Sequence, residues 1–163
     1  MKKSEWMSKR ELINAYVGLG SNQGELRLQL EAAILSLSGL PDTMLVGQSS
    51  LYRSSPFQAD GPDYLNAVVH LQTRLNACDL LHAFQDIENC AGRERPYINA
   101  PRTLDIDLLL YGDGIIQSPW LQVPHPRLRD RAFVLLPLHE IAPQWVAEAE
   151  LLKVKDQAIC RLE

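Results

Sequence analysis

Eleven consecutive residues, Pro101-Arg102-Thr103-Leu104-Asp105-Ile106-Asp107-Leu108-Leu109-Leu110-Tyr111, set two carboxylates two positions apart in a run that is otherwise almost wholly apolar. An unpaired carboxylate is costly to bury, so positive charge is expected beside this run. On a β-strand, residues i and i+2 leave from one face, which groups Asp105 and Asp107 with Leu109 and Tyr111. Leu104, Ile106, Leu108 and Leu110 then form the opposite, core-facing row. Two strand residues span roughly 6.5 to 7 Å. At that spacing two carboxylates can share one hard cation or clamp a pair about 4 Å apart, as in two-metal phosphoryl-transfer sites. Arg102, at the mouth of the strand, supplies a fixed positive charge. A half-exposed strand with two solvated acids has the same pattern, so the spacing alone does not decide.

The distribution of charge adds to the case. The net charge is −4 over 163 residues, which argues against a nucleic-acid surface built on bulk positive charge. All five lysines lie near the ends, at 2, 3, 9, 153 and 155, and every fixed positive charge between Lys9 and Lys153 is an arginine. Six of these, Arg93, Arg95, Arg102, Arg127, Arg129 and Arg131, flank the aspartate strand in sequence. Arginine suits planar, bidentate recognition of phosphate or carboxylate. The three cysteines, Cys78, Cys90 and Cys160, match neither a disulfide framework nor a zinc spacing and read as reduced thiols of a cytoplasmic protein. No apolar run approaches the length of a membrane span, and no export signal is recognisable.

In chain order, residues 1–13 read as a polar arm and 14–163 as a single catalytic domain long enough for its own core. Ala15 to Gly20 has the apolar, glycine-bounded character of a central strand. The Gly18-x-Gly20-x-x-x-Gly24 run is only a weak nucleotide signal, lacking both the dinucleotide spacing and a P-loop lysine. A helix is expected over about residues 25–38, with Leu26, Leu30, Ala33, Ile34 and Leu37 inward, Asn22 as its cap, and Gly39 with Pro41 as its stop. Thr43 to Arg53 is extended and leads into a Ser/Pro/Gly loop. Asn66 to Leu75 alternates as a strand with one wet face, which makes His70 a surface residue. Cys78 to Ala91 returns to helical spacing. There Gln85 and Glu88 share a flank, as a solvated pair or as a pair facing a site. The loop from Arg93 to Ala100 delivers two arginines just before the aspartates and could close over a phosphate. Gly112-Asp113-Gly114 is a turn, with Ile115-Ile116 pairing back. In Val123-Pro124-His125-Pro126, two prolines restrict the backbone around one histidine. Arg127 to Glu140 is mostly helical, and Trp145 to Glu163 is an amphipathic tail. The order β, α, β, β, α, β, followed by a hairpin and helices, predicts an α+β fold: a ferredoxin-like βαββαβ sandwich with a C-terminal addition.

Four pieces in order carry a family resemblance: Tyr16-Val17-Gly18-Leu19-Gly20-Ser21-Asn22; Pro62-Asp63-Tyr64-Leu65-Asn66-Ala67; Pro101 to Asp107; and Val123-Pro124-His125-Pro126 with Arg131-Ala132-Phe133. Together, over about residues 14–145, the chain resembles the 6-hydroxymethyl-7,8-dihydropterin pyrophosphokinases of folate biosynthesis. The resemblance implies transfer of the pyrophosphoryl group of ATP to the pterin hydroxymethyl oxygen, with two Mg²⁺ ions and release of AMP. It makes Asp105 and Asp107 the metal ligands, and Arg93, Arg95 and Arg102 the catalytic arginines. Gln85, Glu88, Leu108, His125 and Arg131 become nucleotide- or phosphate-facing positions. Ser54, Phe57, Tyr64, Asn66 and Phe133 become the pterin pocket, with Tyr64 and Phe133 sandwiching the ring and Asn66 reading its polar edge. The partners expected are these two small molecules, with no nucleic acid or membrane, and the protein is expected to be a monomer. The chain departs from some members in having no Trp between Arg95 and Pro101, and in Pro126 standing where a tyrosine can follow the histidine. On the residues alone, another two-metal nucleotidyltransferase or a non-catalytic metabolite-binding domain stays open.

Overall fold

A computed structural model describes residues 10–56, 58–92 and 103–162. The expectations placed on Phe57, Arg93, Arg95, Arg102 and residues 1–9 of the arm lie outside these residues. In order come β1 (Ile13–Ser21), α1 (Leu26–Ser38), β2 (Thr43–Gln48), β3 (Tyr52–Ser54), β4 (Tyr64–Thr73), α2 (Ala77–Cys90) and β5 (Asp105–Tyr111). The two-stranded ribbon β6 (Ile116–Gln117) and β7 (Gln122–Val123) follows. Next are a 3-10 turn (Leu128–Asp130), α3 (Ala132–Ile141), a second 3-10 turn (Pro143–Trp145), α4 (Glu148–Lys153) and β8 (Ile159–Arg161). Six strands form one sheet in the order β5-β1-β4-β3-β8, with β2 also pairing β4, and every pairing is antiparallel.

The helical stretches form where apolar spacing asks for them. In α1, Leu30, Ala33 and Leu37 are buried, and Gly39 ends the helix with its N–H on the carbonyls of the last turn. Asn22 is not its cap. The N-cap is Glu25, whose side chain makes no capping bond, because three more residues of turn separate Asn22 from the first helical position. In α2, Asn76 accepts from the Asp79 N–H at 2.8 Å, the usual side-chain remedy for an unpaired helix N-terminus. Leu80 and Phe84 face the sheet, essentially without solvent exposure. Each such side chain contributes roughly 1.5 to 3 kcal/mol on burial. Together α1 and α2 close a core over Ala15, Val17, Leu19, Val69, Leu71, Ile106 and Leu108.

The other face carries a second core, in which α3 packs Val134, Leu135 and Leu138 against Tyr16, Val68, Leu109 and Leu110. Pro137 sits inside α3 without breaking it. The second face of β4 is therefore not uniformly wet. Asn66 and Val68 lie buried toward α3, while His70 is half-buried, stacked on Tyr16 with ring centroids 4.6 Å apart and bonded to Asn14 at 2.8 Å. The C-terminal tail also does more than its amphipathic pattern suggests, since β8 pairs with β3 and extends the sheet.

Strict alternation holds along β5 only as far as Leu108. Tyr16 pairs with Leu110 and Val17 with Leu108, so Leu109 is an extra residue, a β-bulge. Beyond it the faces exchange. Leu109 and Leu110 both join the α3 core, and Tyr111 turns to the α1/α2 side, where its hydroxyl donates to the Leu75 carbonyl at 2.7 Å. The sequence placed Tyr111 with the aspartates and Leu110 opposite; the bulge reverses both.

Candidate active site

β1 lies between β4 and β5, and its residues on the α3 face are Tyr16, Gly18 and Gly20. In register, Gly20 stands between Asp105 of β5 and Asn66 of β4, and Gly18 between Asp107 and Val68. Both aspartates thus face backbone with no side chain across from them. A cavity of about 760 Å³ opens there, floored by Gly18, Gly20, Asn66, Asp105 and Asp107 and walled by Tyr64, Arg127, Arg131 and Phe133. A Cβ on Gly20 would sit 3.3 Å from Asn66 Oδ1 and one on Gly18 3.4 Å from Leu109. The paired glycines that looked like a weak phosphate loop are the floor of this cavity, within the strand itself.

Asn66 is 2 % exposed and is held by its amide nitrogen, which donates to Ser54 Oγ at 2.8 Å and to the Tyr52 carbonyl at 3.3 Å. Neither bond uses Oδ1, the acceptor that faces the Gly20 floor. Ser54 is buried in β3 and acts on the cavity through Asn66. Asn66 and Asp105 are two strands apart, roughly 10 Å at an inter-strand spacing of about 4.8 Å. Tyr64 and Phe133 are half-buried on the cavity wall, and the Arg131 guanidinium carbon stands 5.3 Å from the Phe133 ring centroid. Burial and the neighbouring Arg127 lower the Arg131 guanidinium from its ordinary value, opposed by the pull of Asp107 and Asp105.

A second cavity of about 280 Å³ lies on the far side of β5, lined by Leu81, Leu108, Trp120, Leu121, His125 and Asp107 among others. Asp107 borders both cavities. His125 reaches this position through the bulge, because its N–H donates to the Leu109 carbonyl at 2.9 Å, a group on the residue the bulge removes from the ladder. His125 Nδ1 accepts from the Arg127 N–H at 3.2 Å, which assigns the remaining ring proton to Nε2 in the neutral imidazole. Burial lowers the His125 pKa; Asp107 opposes that shift, and Arg131 and Arg127 reinforce it.

Glu88 is neither half of a solvated pair nor an exposed group. It is 6 % exposed, and its Oε1 accepts from the Ile106 N–H at 2.8 Å, on the outer edge of β5 between the two aspartates. An edge strand leaves such donors unpaired unless something covers them, and Glu88 does. Gln85 is exposed on α2 and lines neither cavity. Ser21 anchors the other side of the strand's entry, bonding the Thr103 carbonyl. Of the flanking arginines, Arg127 and Arg131 line the main cavity, whereas Arg129 bonds Glu150 at 2.9 Å and the Trp145 carbonyl at 2.7 Å. Residue-by-residue reasoning missed Gly18 and Gly20 as a floor, Arg127 as a wall and Trp120 with Leu121 in the second cavity. The glycines did carry a signal: two of them at strand spacing remove side chains from one face only.

Among the described residues, no three His, Cys, Asp or Glu side chains gather as a metal cluster. Two carboxylates on an open cavity floor suit a hard cation that completes its shell with water and phosphate oxygens, as Mg²⁺ does, and not a closed protein cage.

The sequence model of the family described as 7,8-dihydro-6-hydroxymethylpterin-pyrophosphokinase (HPPK) matches residues 16–143. A Pseudomonas aeruginosa protein named 2-amino-4-hydroxy-6-hydroxymethyldihydropteridine pyrophosphokinase is 48% identical over 129 residues, covering 78% of this chain and 80% of its own. A Haemophilus influenzae protein of the same name is 46% identical over 136 residues, covering 83% and 85%. A crystal structure of Plasmodium falciparum HPPK-DHPS A437G with SDX-DHP shares the fold at a TM-score of 0.66 and 15% identity, covering 84% of this chain. The chain spans 43% of that longer chain's length. With the matched region running from Tyr16 in β1 to Pro143 just past α3, and so containing both aspartates and both walls of the cavity, this chain belongs to the HPPK family of pyrophosphokinases.

Proposed function

We propose that this chain transfers the pyrophosphoryl group of ATP to the hydroxymethyl oxygen of 6-hydroxymethyl-7,8-dihydropterin, releasing AMP, as a step of folate synthesis. The observation that carries the reading is the place of Asp107. It borders both the amide-edged cavity of Asn66, Tyr64 and Phe133 and the smaller cavity of Leu108 and His125. A two-substrate transfer needs the acceptor on one side of the charged centre and the nucleotide on the other.

The chain's groups divide the work. Asn66, with Nδ2 tied to Ser54 and Tyr52, presents Oδ1 to the donor edge of a pterin, and a fixed acceptor discriminates better than a rotating one. Tyr64 and Phe133 suit the faces of a planar ring. Asp105 and Asp107 would hold two Mg²⁺ ions, which would supply neutralisation of phosphate charge. Arg131 and a neutral His125 donating from Nε2 would stabilise charge gathering on the transferred group, from fixed positions beside Asp107. Arg93, Arg95 and Arg102, which precede β5 in the sequence, are assigned to the same task, and Gln85, Glu88 and Leu108 to the nucleotide side. Phe57 is assigned to the pterin by the resemblance alone. The strand order β5-β1-β4-β2/β3, with α1 and α2 on one face, supports a ferredoxin-like core to which β8, the ribbon and α3 are added. The same reading takes residues 14–163 as one catalytic domain, monomeric and cytoplasmic; sedimentation velocity tests the first of those properties and fractionation the second.

The deciding assay is AMP release from ATP with and without the hydroxymethyl-dihydropterin and Mg²⁺. AMP that depends on both is the expected result, and its absence would sink the reading. Tight pterin binding with no turnover would leave a metabolite-binding domain in its place.

A further inference from the structure

The wall of the main cavity turns on a corner, Asp130-Arg131-Ala132-Phe133, where the 3-10 turn ends and α3 begins. Arg131 is the N-cap of α3, with an extended backbone and no side-chain capping bond. Such an end leaves its first amide protons without intrahelical partners. One of them is satisfied from the C-terminal tail, for Gln157 Oε1 accepts from the Ala132 N–H at 2.9 Å. The other half of the same amide, Nε2, donates to the Asp130 carbonyl at 2.8 Å. Gln157 therefore holds the main chain on both sides of Arg131. The tail is itself fixed at this point. The Gln157 N–H bonds the Val154 carbonyl at 3.0 Å, and two residues later β8 pairs with β3, the strand whose Tyr52 carbonyl and Ser54 hydroxyl hold Asn66.

We propose that Gln157 is a positioning residue for the transfer reaction, clamping the Asp130–Ala132 backbone so that Arg131 and Phe133 present a fixed wall to the pterin and its reacting oxygen. A two-point clamp restricts rotation of the corner in a way one bond does not, and preorganisation of this kind is felt in catalysis because the wall no longer has to be ordered during reaction. The same short tail segment steadies both sides of the cavity, the wall through Gln157 and the floor through β8. The proposal rests on the pyrophosphokinase reading for its catalytic half and on geometry alone for its clamp.

The test uses the full chain carrying Gln157→Met, which fills similar space without either bond, and Gln157→Glu, which keeps the acceptor for Ala132 but cannot donate to Asp130. Hydrogen exchange reads the clamp without any reaction: the Ala132 amide is expected to exchange about 10-fold faster in Gln157→Met, the equivalent of one ordinary hydrogen bond. At a temperature where circular dichroism shows both proteins fully folded, kcat/KM for the pterin is expected to fall about 10-fold in Gln157→Met and less in Gln157→Glu. In an Arg131→Ala background the Gln157→Met change is expected to lose most of its effect on kcat/KM while keeping its effect on Tm, the non-additivity of groups acting as a unit. Unchanged Ala132 exchange would remove the clamp. Faster exchange with unchanged kcat/KM, or additive effects with Arg131→Ala, would make Gln157 merely structural. No AMP from the unmutated protein would overturn the reaction and the catalytic half together, with the exchange result still deciding the clamp.

Discussion

The sheet has two faces, and they are built on different terms. Under α1 and α2 the packing is apolar and regular, with Val17, Leu19, Leu71, Ile106 and Leu108 in alternate positions against Leu30, Leu37, Leu80 and Phe84. Under α3 the same strands present glycines, an amide and two acids beside an apolar cluster of Val68, Leu109 and Leu110, and the covering layer is joined by Leu135 and Leu138 and by polar bonds from Gln157 and Glu140. One face supplies stability by area; the other gives up area to leave a cavity. The contrast predicts that mutations on the first face change folding with little effect on catalysis, and that mutations of the cavity residues on the second do the reverse.

The largest effect expected is on the acids. Asp105→Asn or Asp107→Asn removes a share of the charge that holds metal and phosphate, and kcat/KM should fall at least about 10²-fold. Neither carboxylate supports the α1/α2 core, so Tm should hold within a few degrees. Steady-state AMP release beside a thermal melt reads both. A variant that melts early and turns over normally would reverse the assignment of the two faces.

The complementary break is Leu80→Ala on the first face. Leu80 is fully buried, and truncating such a leucine costs about 3 kcal/mol including the cavity left behind. Urea denaturation should show that loss, while kcat/KM measured on folded protein stays within about twofold, a neutral effect on catalysis by the usual conversion. Coupled loss of activity at full folding would mean that the two faces are not separable.

Between these lies Gly20→Ala. The added methyl meets Asn66 Oδ1 at 3.3 Å, and overpacking of that kind costs about 1 to 3 kcal/mol. Here the strain falls on the group assigned to read the pterin, so the pterin KM should rise about 10-fold while the ATP KM moves little. Equal changes in both would place the glycine's role in the strand and not in the slot.

The first face was legible in the sequence because burial imposes a period. Leu26, Leu30, Ala33, Ile34 and Leu37 announce α1, and Leu80, Leu81, Phe84 and Ile87 announce α2. The second face was legible where chemistry forces rare choices, as in the paired aspartates and the histidine between prolines. The bulge at Leu109 was not, since one extra residue inside Leu108-Leu109-Leu110 leaves no mark in an all-leucine run. Glu88 read either as a solvated acid or as one facing a site, because spacing along a helix cannot show that a strand edge with an open N–H lies beside it. Gln157 and β8 were hidden for a related reason: their partners lie 25 residues or more away in the chain, and a three-residue strand carries too little period to declare itself.

The smallest effect tests how the α3 layer is held. Glu140, in α3, accepts from the Ser50 N–H at 2.9 Å and the Ser50 hydroxyl at 2.8 Å, and from the Tyr52 hydroxyl at 2.6 Å, with Arg161 3.6 Å away. Burial by itself would raise the Glu140 pKa, but the bonds from Tyr52 and Ser50 and the charge of Arg161 hold it below the usual value. Burial and the same carboxylate push the Tyr52 hydroxyl up to about 12. The signs follow from linkage. A depressed carboxyl contributes stability above its unfolded value of 4.5 and loses it as pH falls. A raised phenol contributes below its unfolded value of 10.0 and loses it as pH rises toward 12. Glu140→Gln should therefore cost about 1 kcal/mol near neutral pH, the scale of a hydrogen bond to a charged group replaced by a neutral one. The gap between the two proteins should narrow as pH is lowered through the region of 4.5, read by urea midpoints at each pH. A constant gap would mean that Glu140 is held by shape and not by charge, and α3 would then be joined to the sheet on the same terms as α1 and α2.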